Sequence, residues 1–130
     1  MTKYKLTLNV GRETTDKEVN EILSAFLPYY EVEINKSIVR LSADWLPLII
    51  DFTVSAVIGG LAYDGLKNSL VLLQNKFKQK KLERNPAASI RVRNKTYILT
   101  EEKIFLQNID IELSFDSVEK FIEYLQQNEH

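Results

Sequence analysis

The sequence has 130 residues and a mass of 15.1 kDa, a length that fits one domain with a buried core. Hydrophobic residues make up 45% of the chain and charged residues 27%, which excludes a largely disordered protein, and the net charge is only −1. Cysteine is absent and the single histidine is the last residue, His130, so disulfide frameworks, thiolate zinc sites and Cys- or His-based catalysis are excluded.

The chain opens with the signals of a strand followed by a helix. Apolar residues alternate over residues 4–10, which predicts a half-buried strand. This pattern begins directly after the third residue, so we expect no signal peptide. Thr15 and Glu18 form a capping box at the start of a helix, and Pro28 ends that helix.

Two more strands are expected before residue 43. Alternating apolar residues over 30–34 predict the second strand, residues 35–37 predict a turn, and residues 38–41 predict a third strand. Residues 1–42 are therefore predicted to form a β-α-β-β unit.

Residues 43–85 are predicted to form one long helical segment. A straight helix of this length would run roughly 60 Å, whereas a globule of 130 residues has a radius of gyration of about 14 Å. We therefore expect a kink or a break at Gly59-Gly60, where glycine weakens the helix. Asp51 and Asp64 lie about 220° apart on a straight helix, which argues against a shared site and places Asp51 at a wet edge.

The first part of this segment, residues 45–63, is the most apolar stretch of the chain. Its insertion free energy sums to about zero on the translocon scale, so a buried helix and a membrane-docked helix both stay open. Small residues at helical spacing, Ala56, Gly59 and Gly60, would allow close packing on the sheet or against another protomer.

The last third of the chain, residues 88–130, is predicted to hold a β-hairpin, further short strands and a terminal helix. Residues 90–99 alternate around a turn at Asn94-Lys95, and residues 104–113 contain further strand-like pieces. Asp116 and Glu119 form a capping box for the final amphipathic helix. The whole chain is therefore predicted to be a single α+β domain with a mostly antiparallel sheet, a long central helix and a C-terminal helix.

Charge is distributed unevenly along the chain. Residues 76–95 contain eight basic side chains and one acidic side chain, a balance of +7, and the remainder carries nine basic and seventeen acidic side chains, a balance of −8. This basic tract is either a solvated helix end that suits the helix dipole or a binding surface for anionic partners. Its members are Lys76, Lys78, Lys80, Lys81, Arg84, Arg91, Arg93 and Lys95.

The order of these features resembles the small α+β accessory components encoded beside effectors in bacterial conflict (immunity) systems. The similar stretch is residues 38–100. It contains Trp45-Leu46-Pro47-Leu48-Ile49-Ile50, then Gly59-Gly60 and Asp64-Gly65-Leu66-Lys67, and a basic helix end that leads into a hairpin. The resemblance implies a bacterial, non-enzymatic module that works by protein–protein association.

We therefore expect a non-catalytic, cytoplasmic interaction module that acts by homo-oligomerisation or by association with an effector. We expect no cofactor, no metal site and no small-molecule substrate. One alternative is a membrane-associated adaptor that uses the apolar helix and the basic tract on anionic lipid. The other is a sequence-neutral nucleic-acid binder that uses the basic tract alone.

Overall fold

The computed structural model describes residues 4–38, 48–52, 60–82, 87–92, 94–108, 110 and 112–128. The elements in this part of the chain are β1 Tyr4–Gly11, α1 Asp16–Phe26, β2 Tyr30–Ile38, β3 Leu48–Phe52, α2 Gly60–Lys78, β4 Ala87–Val92, β5 Lys95–Thr100, β6 Ile104–Leu106, β7 Ser114–Phe115 and α3 Val118–Asn128. The seven strands form one sheet in the order β2-β1-β3-β4-β5-β6-β7. Four of the six strand pairings are antiparallel, while β1–β2 and β3–β4 are parallel, so the predicted α+β class is confirmed.

The predicted β1 strand and α1 helix are confirmed, and the cap of α1 explains where it begins. Thr15 Oγ1 accepts a hydrogen bond from the Glu18 backbone N–H, and the Glu18 carboxylate accepts one from the Thr15 N–H, both at 3.2 Å. These two bonds satisfy amides that the first helical turn leaves without a partner. The helix ends at Phe26, two residues before Pro28.

Two parallel strand–helix–strand units place α1 and α2 on the same face of the sheet. The β1-α1-β2 and β3-α2-β4 units lie side by side and run in opposite directions, so right-handed crossovers bring both helices to one face. The helix α3 packs there as well, with Phe121 against Tyr97 of β5 at 4.8 Å between ring centroids. The buried residues of all three helices join the inward-facing residues of β1, β3, β4 and β5 in one core.

The prediction of a helix across residues 43–85 is wrong at Leu48–Phe52, which form the central strand β3. Leu48 and Ile50 point into the core, and Ile49 lies on the opposite face. Leu48, Ile49 and Ile50 form a continuous apolar run, so the alternation that identifies a half-solvated strand is missing there. The expected break at Gly59-Gly60 falls at the boundary of the described residues, since α2 begins at Gly60 and residues 53–59 lie outside them.

Two smaller predictions also need correction. Residues 35–37 do not turn, because β2 continues through them to Ile38, and most of the expected third strand at 38–41 lies outside the described residues. The cap of α3 is Ser117 rather than Asp116, because Ser117 Oγ accepts from the Lys120 N–H at 3.3 Å. Asp116 instead makes an ion pair with the Lys120 side chain at 3.5 Å.

The predictions for the following strands are largely confirmed. β4 and β5 pair as an antiparallel hairpin with Val92 opposite Lys95, and β6 covers Ile104–Leu106. The strand-like piece expected over residues 109–113 is not confirmed. Asp110, Glu112 and Leu113 lie in no strand, residues 109 and 111 are outside the described residues, and β7 begins at Ser114.

Candidate interaction surfaces

One face of the sheet, which we call the open face, carries the side chains that point away from the three helices. Within the described residues, no helix or strand covers it. Ile49, Ile98 and Phe105 lie on this face, and each is half-buried without packing against the core. Their strands place them in one row, because Ile49 pairs with Ser89, Ser89 with Ile98, and Ile98 with Phe105.

This apolar row is about 14 Å long, since neighbouring strands lie about 4.8 Å apart. It ends at a half-open groove of about 570 Å³ beside β6 and β7, where Phe105, Lys103 and Ser114 are among the lining residues. The Lys103 ammonium lies 5.3 Å from the Phe105 ring centroid, which gives this end of the row a positive charge. The solvated face of a sheet usually carries polar side chains. A row of apolar side chains on such a face is therefore typical of an interaction surface.

A polar network lies beside the row on the same face. Asp51 and Arg91 are register partners on β3 and β4, and their side chains form an ion pair at 3.5 Å. Asn9 Nδ2 donates to Asp51 Oδ2 at 2.5 Å, and Asn35 Nδ2 donates to Asn9 Oδ1 at 3.4 Å. These bonds hold the Asp51 carboxylate in a fixed position on the middle of the sheet.

The first member of the basic tract, Lys76, belongs to the packing between helices. Its Nζ donates to Glu21 Oε2 of α1 at 2.8 Å, and the side chains are only 15% and 27% exposed. The hydrogen bond from Lys76 holds the pKa of the Glu21 carboxyl below its ordinary value of 4.5, although partial burial opposes this shift. Lys76 is therefore engaged in the contact between α1 and α2.

The next basic residues, Lys80 and Lys81, form the C-terminal cap of α2. Lys80 has a φ of 60°, and the Lys80 and Lys81 N–H groups donate to Phe77 O and Lys76 O, both at 3.1 Å. This is the Schellman arrangement, in which a left-handed residue lets the last carbonyls of a helix find donors. Lys80 Nζ then lies 3.2 Å from Glu101 Oε2, while Lys78 and Lys81 are exposed.

The hairpin members of the tract do not extend that surface. Arg91 lies on the open face, whereas Lys95 pairs with Val92, whose side chain points toward the helices. Arg84 and Arg93 lie outside the described residues. The described members of the basic tract are thus distributed over the α1–α2 contact, the end of α2 and both faces of the sheet.

The small-residue surface falls mostly outside the described part of the chain. Ala56 and Gly59 are not among the described residues, and Gly60 is the first residue of α2. Among the described helices, none is both long and apolar enough to cross a membrane. The described residues as a whole contain no cluster of three acidic or histidine side chains that could hold a metal ion.

No protein-family model, curated protein or solved structure matches this chain. The open face was not predicted from the sequence, because the apolar run around Ile49 and Asp51 was interpreted as a helix. The signal that could have found it is the run Leu48-Ile49-Ile50, which is rich in β-branched residues, follows Pro47 and precedes Asp51.

Proposed function

We propose that this protein is a non-catalytic interaction module that binds other protein chains, copies of itself included, through the open face of its sheet. The observation that carries the proposal is the apolar row Ile49, Ile98 and Phe105, which is half-buried on the face opposite the helices and adds nothing to the core. Covering such a row removes apolar area from water at about 25 cal/mol per Å². The open face is the surface that we assign to the association expected from the sequence.

The polar surroundings of the row fit the same role. Interfaces combine apolar groups with charged and hydrogen-bonding groups, and here the Asp51–Arg91 pair and Lys103 lie beside the apolar row. The basic tract supports a charge-driven function less well. Two of its described lysines, Lys76 and Lys80, already pair with Glu21 and Glu101.

The proposal is tested by capture with the tagged full-length chain, co-expressed with an untagged copy in bacterial cells. Ile98→Glu places a charge in the row, whereas Leu72→Glu changes a residue on α2 that is 40% exposed in the helical layer. We expect the wild type and Leu72→Glu to retain the same bound chains and Ile98→Glu to lose them. Equal capture by all three proteins, or no capture by any, would contradict an association role for the open face.

A further inference from the structure

The ion pair on the open face has a geometry that a second copy of this chain can match. Asp51 and Arg91 are direct register partners on the neighbouring strands β3 and β4. Their side chains are 31% and 54% exposed, so both charges remain accessible from the open face. When a second copy is rotated by 180° onto the first, the acidic side chain of each copy can face the basic side chain of the other.

A two-fold axis parallel to the strands brings these opposite charges together. An isologous interface brings the same patch of both subunits together, and an axis between β3 and β4 exchanges the two strands across the interface. Asp51 then faces Arg91 of the partner subunit, and Arg91 faces the partner's Asp51. Ile49 and Ser89, which are also register partners, come to the centre, where the small serine allows two sheets to pack about 10 Å apart.

The charges also disfavour a second face-to-face arrangement. A two-fold axis perpendicular to the strands that passes through the row of Asp51 and Arg91 would place Asp51 over the partner's Asp51 and Arg91 over the partner's Arg91. Like charges brought together in an interface cost free energy, so this second arrangement is disfavoured. Packed sheets rotate by about 30° relative to each other, but residues next to the axis move little.

The outer strands are compatible with the same axis. It places β2 of one subunit opposite β6 of the other, because the strand order is β2-β1-β3-β4-β5-β6-β7. By register, Asn9 lies opposite Ile98 of the partner subunit, and Asn35 of β2 lies opposite Phe105 of the partner subunit.

We propose that two copies of this chain form a face-to-face dimer with its two-fold axis parallel to the strands between β3 and β4. This inference rests on the proposed function, since it names the partner of the open face. Each copy supplies one Asp51 and one Arg91 to a ring of four alternating charges, and Asn9 holds each aspartate in place. The preformed positions reduce the ordering cost that association would otherwise carry.

Charge reversal tests the geometry with two variants that fail separately and succeed together. In D51R and in R91D the symmetric interface contains only like charges, so we expect sedimentation equilibrium to show a dissociation constant raised at least about tenfold for each. An equimolar mixture of D51R and R91D places two positive charges opposite two negative ones, and we expect the mixture to dimerise as tightly as the wild type within a factor of about three.

Matched controls make the same charge changes at another exposed ion pair. E101R and K80D alter the pair at the end of α2, and both should dimerise like the wild type. Circular dichroism during thermal unfolding shows whether each variant is folded. If a reversal variant does not fold, the neutral variants D51N and R91Q replace it, and each should raise the dissociation constant by about twofold to tenfold.

The possible failures are distinguishable. A mixture of D51R and R91D that stays monomeric, while the wild type is a dimer that Ile98→Glu disrupts, overturns this axis and leaves the open face as the association surface. Unchanged dimerisation of D51N and R91Q overturns the axis in the same way. A monomeric wild type overturns the dimer, and the capture experiment then decides whether the open face binds another chain.

Discussion

The ion pair between Lys76 and Glu21 gives a sharp test of how the helical layer is held together. The 2.8 Å contact joins α2 to α1, and neither side chain is more than 27% exposed. A hydrogen bond between charged groups in such a setting contributes about 1 to 2 kcal/mol to the free energy of unfolding. We expect a double-mutant cycle with Glu21→Gln and Lys76→Met to give a coupling free energy of this size near pH 7.

The pH dependence of this coupling has a definite sign. The pKa of Glu21 is lower in the folded protein than its ordinary value of 4.5, because Lys76 donates a hydrogen bond to the carboxylate. The contribution is therefore complete above pH 4.5 and is lost as the pH falls through the lower folded pKa. Urea unfolding monitored by circular dichroism at several pH values measures both the coupling and its loss.

Two results would refute the reasoning. A coupling free energy near zero around neutral pH would mean that the pair is solvated and that α1 and α2 are held only by apolar packing. A coupling that grows as the solution becomes acidic would reverse the sign of the expected pKa shift. The Lys120–Asp116 pair is a control, because its side chains are 62% and 90% exposed and its coupling should be at most about 0.5 kcal/mol.

Three further predictions concern single positions. Lys80→Gly should raise the free energy of unfolding by up to about 1 kcal/mol, because glycine adopts the left-handed conformation of Lys80 without strain. Lys80→Ala keeps the strain and should not raise the free energy of unfolding. Equal stability of the two variants would contradict this prediction. Thr15→Ala should cost about 1 kcal/mol in thermal or urea unfolding, since it removes the acceptor for the Glu18 N–H; an unchanged midpoint would show that the cap adds nothing. Tyr97→Ala should cost about 3 to 5 kcal/mol, because Tyr97 is fully buried against Phe121, whereas a loss below about 1 kcal/mol would contradict its place in the core.

The elements that sequence reasoning predicted well are those with a local signal. The capping box at Thr15 fixed the start of α1, and alternation fixed β1 and the hairpin of β4 and β5. In each case one face is buried and the other is solvated, so the period of the pattern identifies the element.

The central strand could not be predicted in the same way. Leu48-Ile49-Ile50 in β3 is an apolar run without alternation, and such a short run does not distinguish a helix from a strand. Without this strand the candidate site could not be predicted either. Asp51 and Arg91 are forty positions apart in the sequence and meet only because they lie on adjacent strands. Likewise, the sequence shows a basic tract of residues 76–95, but only the fold shows that Glu21, far away in the sequence, neutralises Lys76.

The most direct test of the account is the solution mass of the full chain by light scattering over a wide range of concentrations, with Ile98→Glu and Leu72→Glu beside it. We predict that the wild type and Leu72→Glu approach twice the chain mass of 15.1 kDa, while Ile98→Glu stays at the single-chain mass. A wild type that remains at the single-chain mass at every concentration, or an equal response of the two variants, would contradict self-association through the open face.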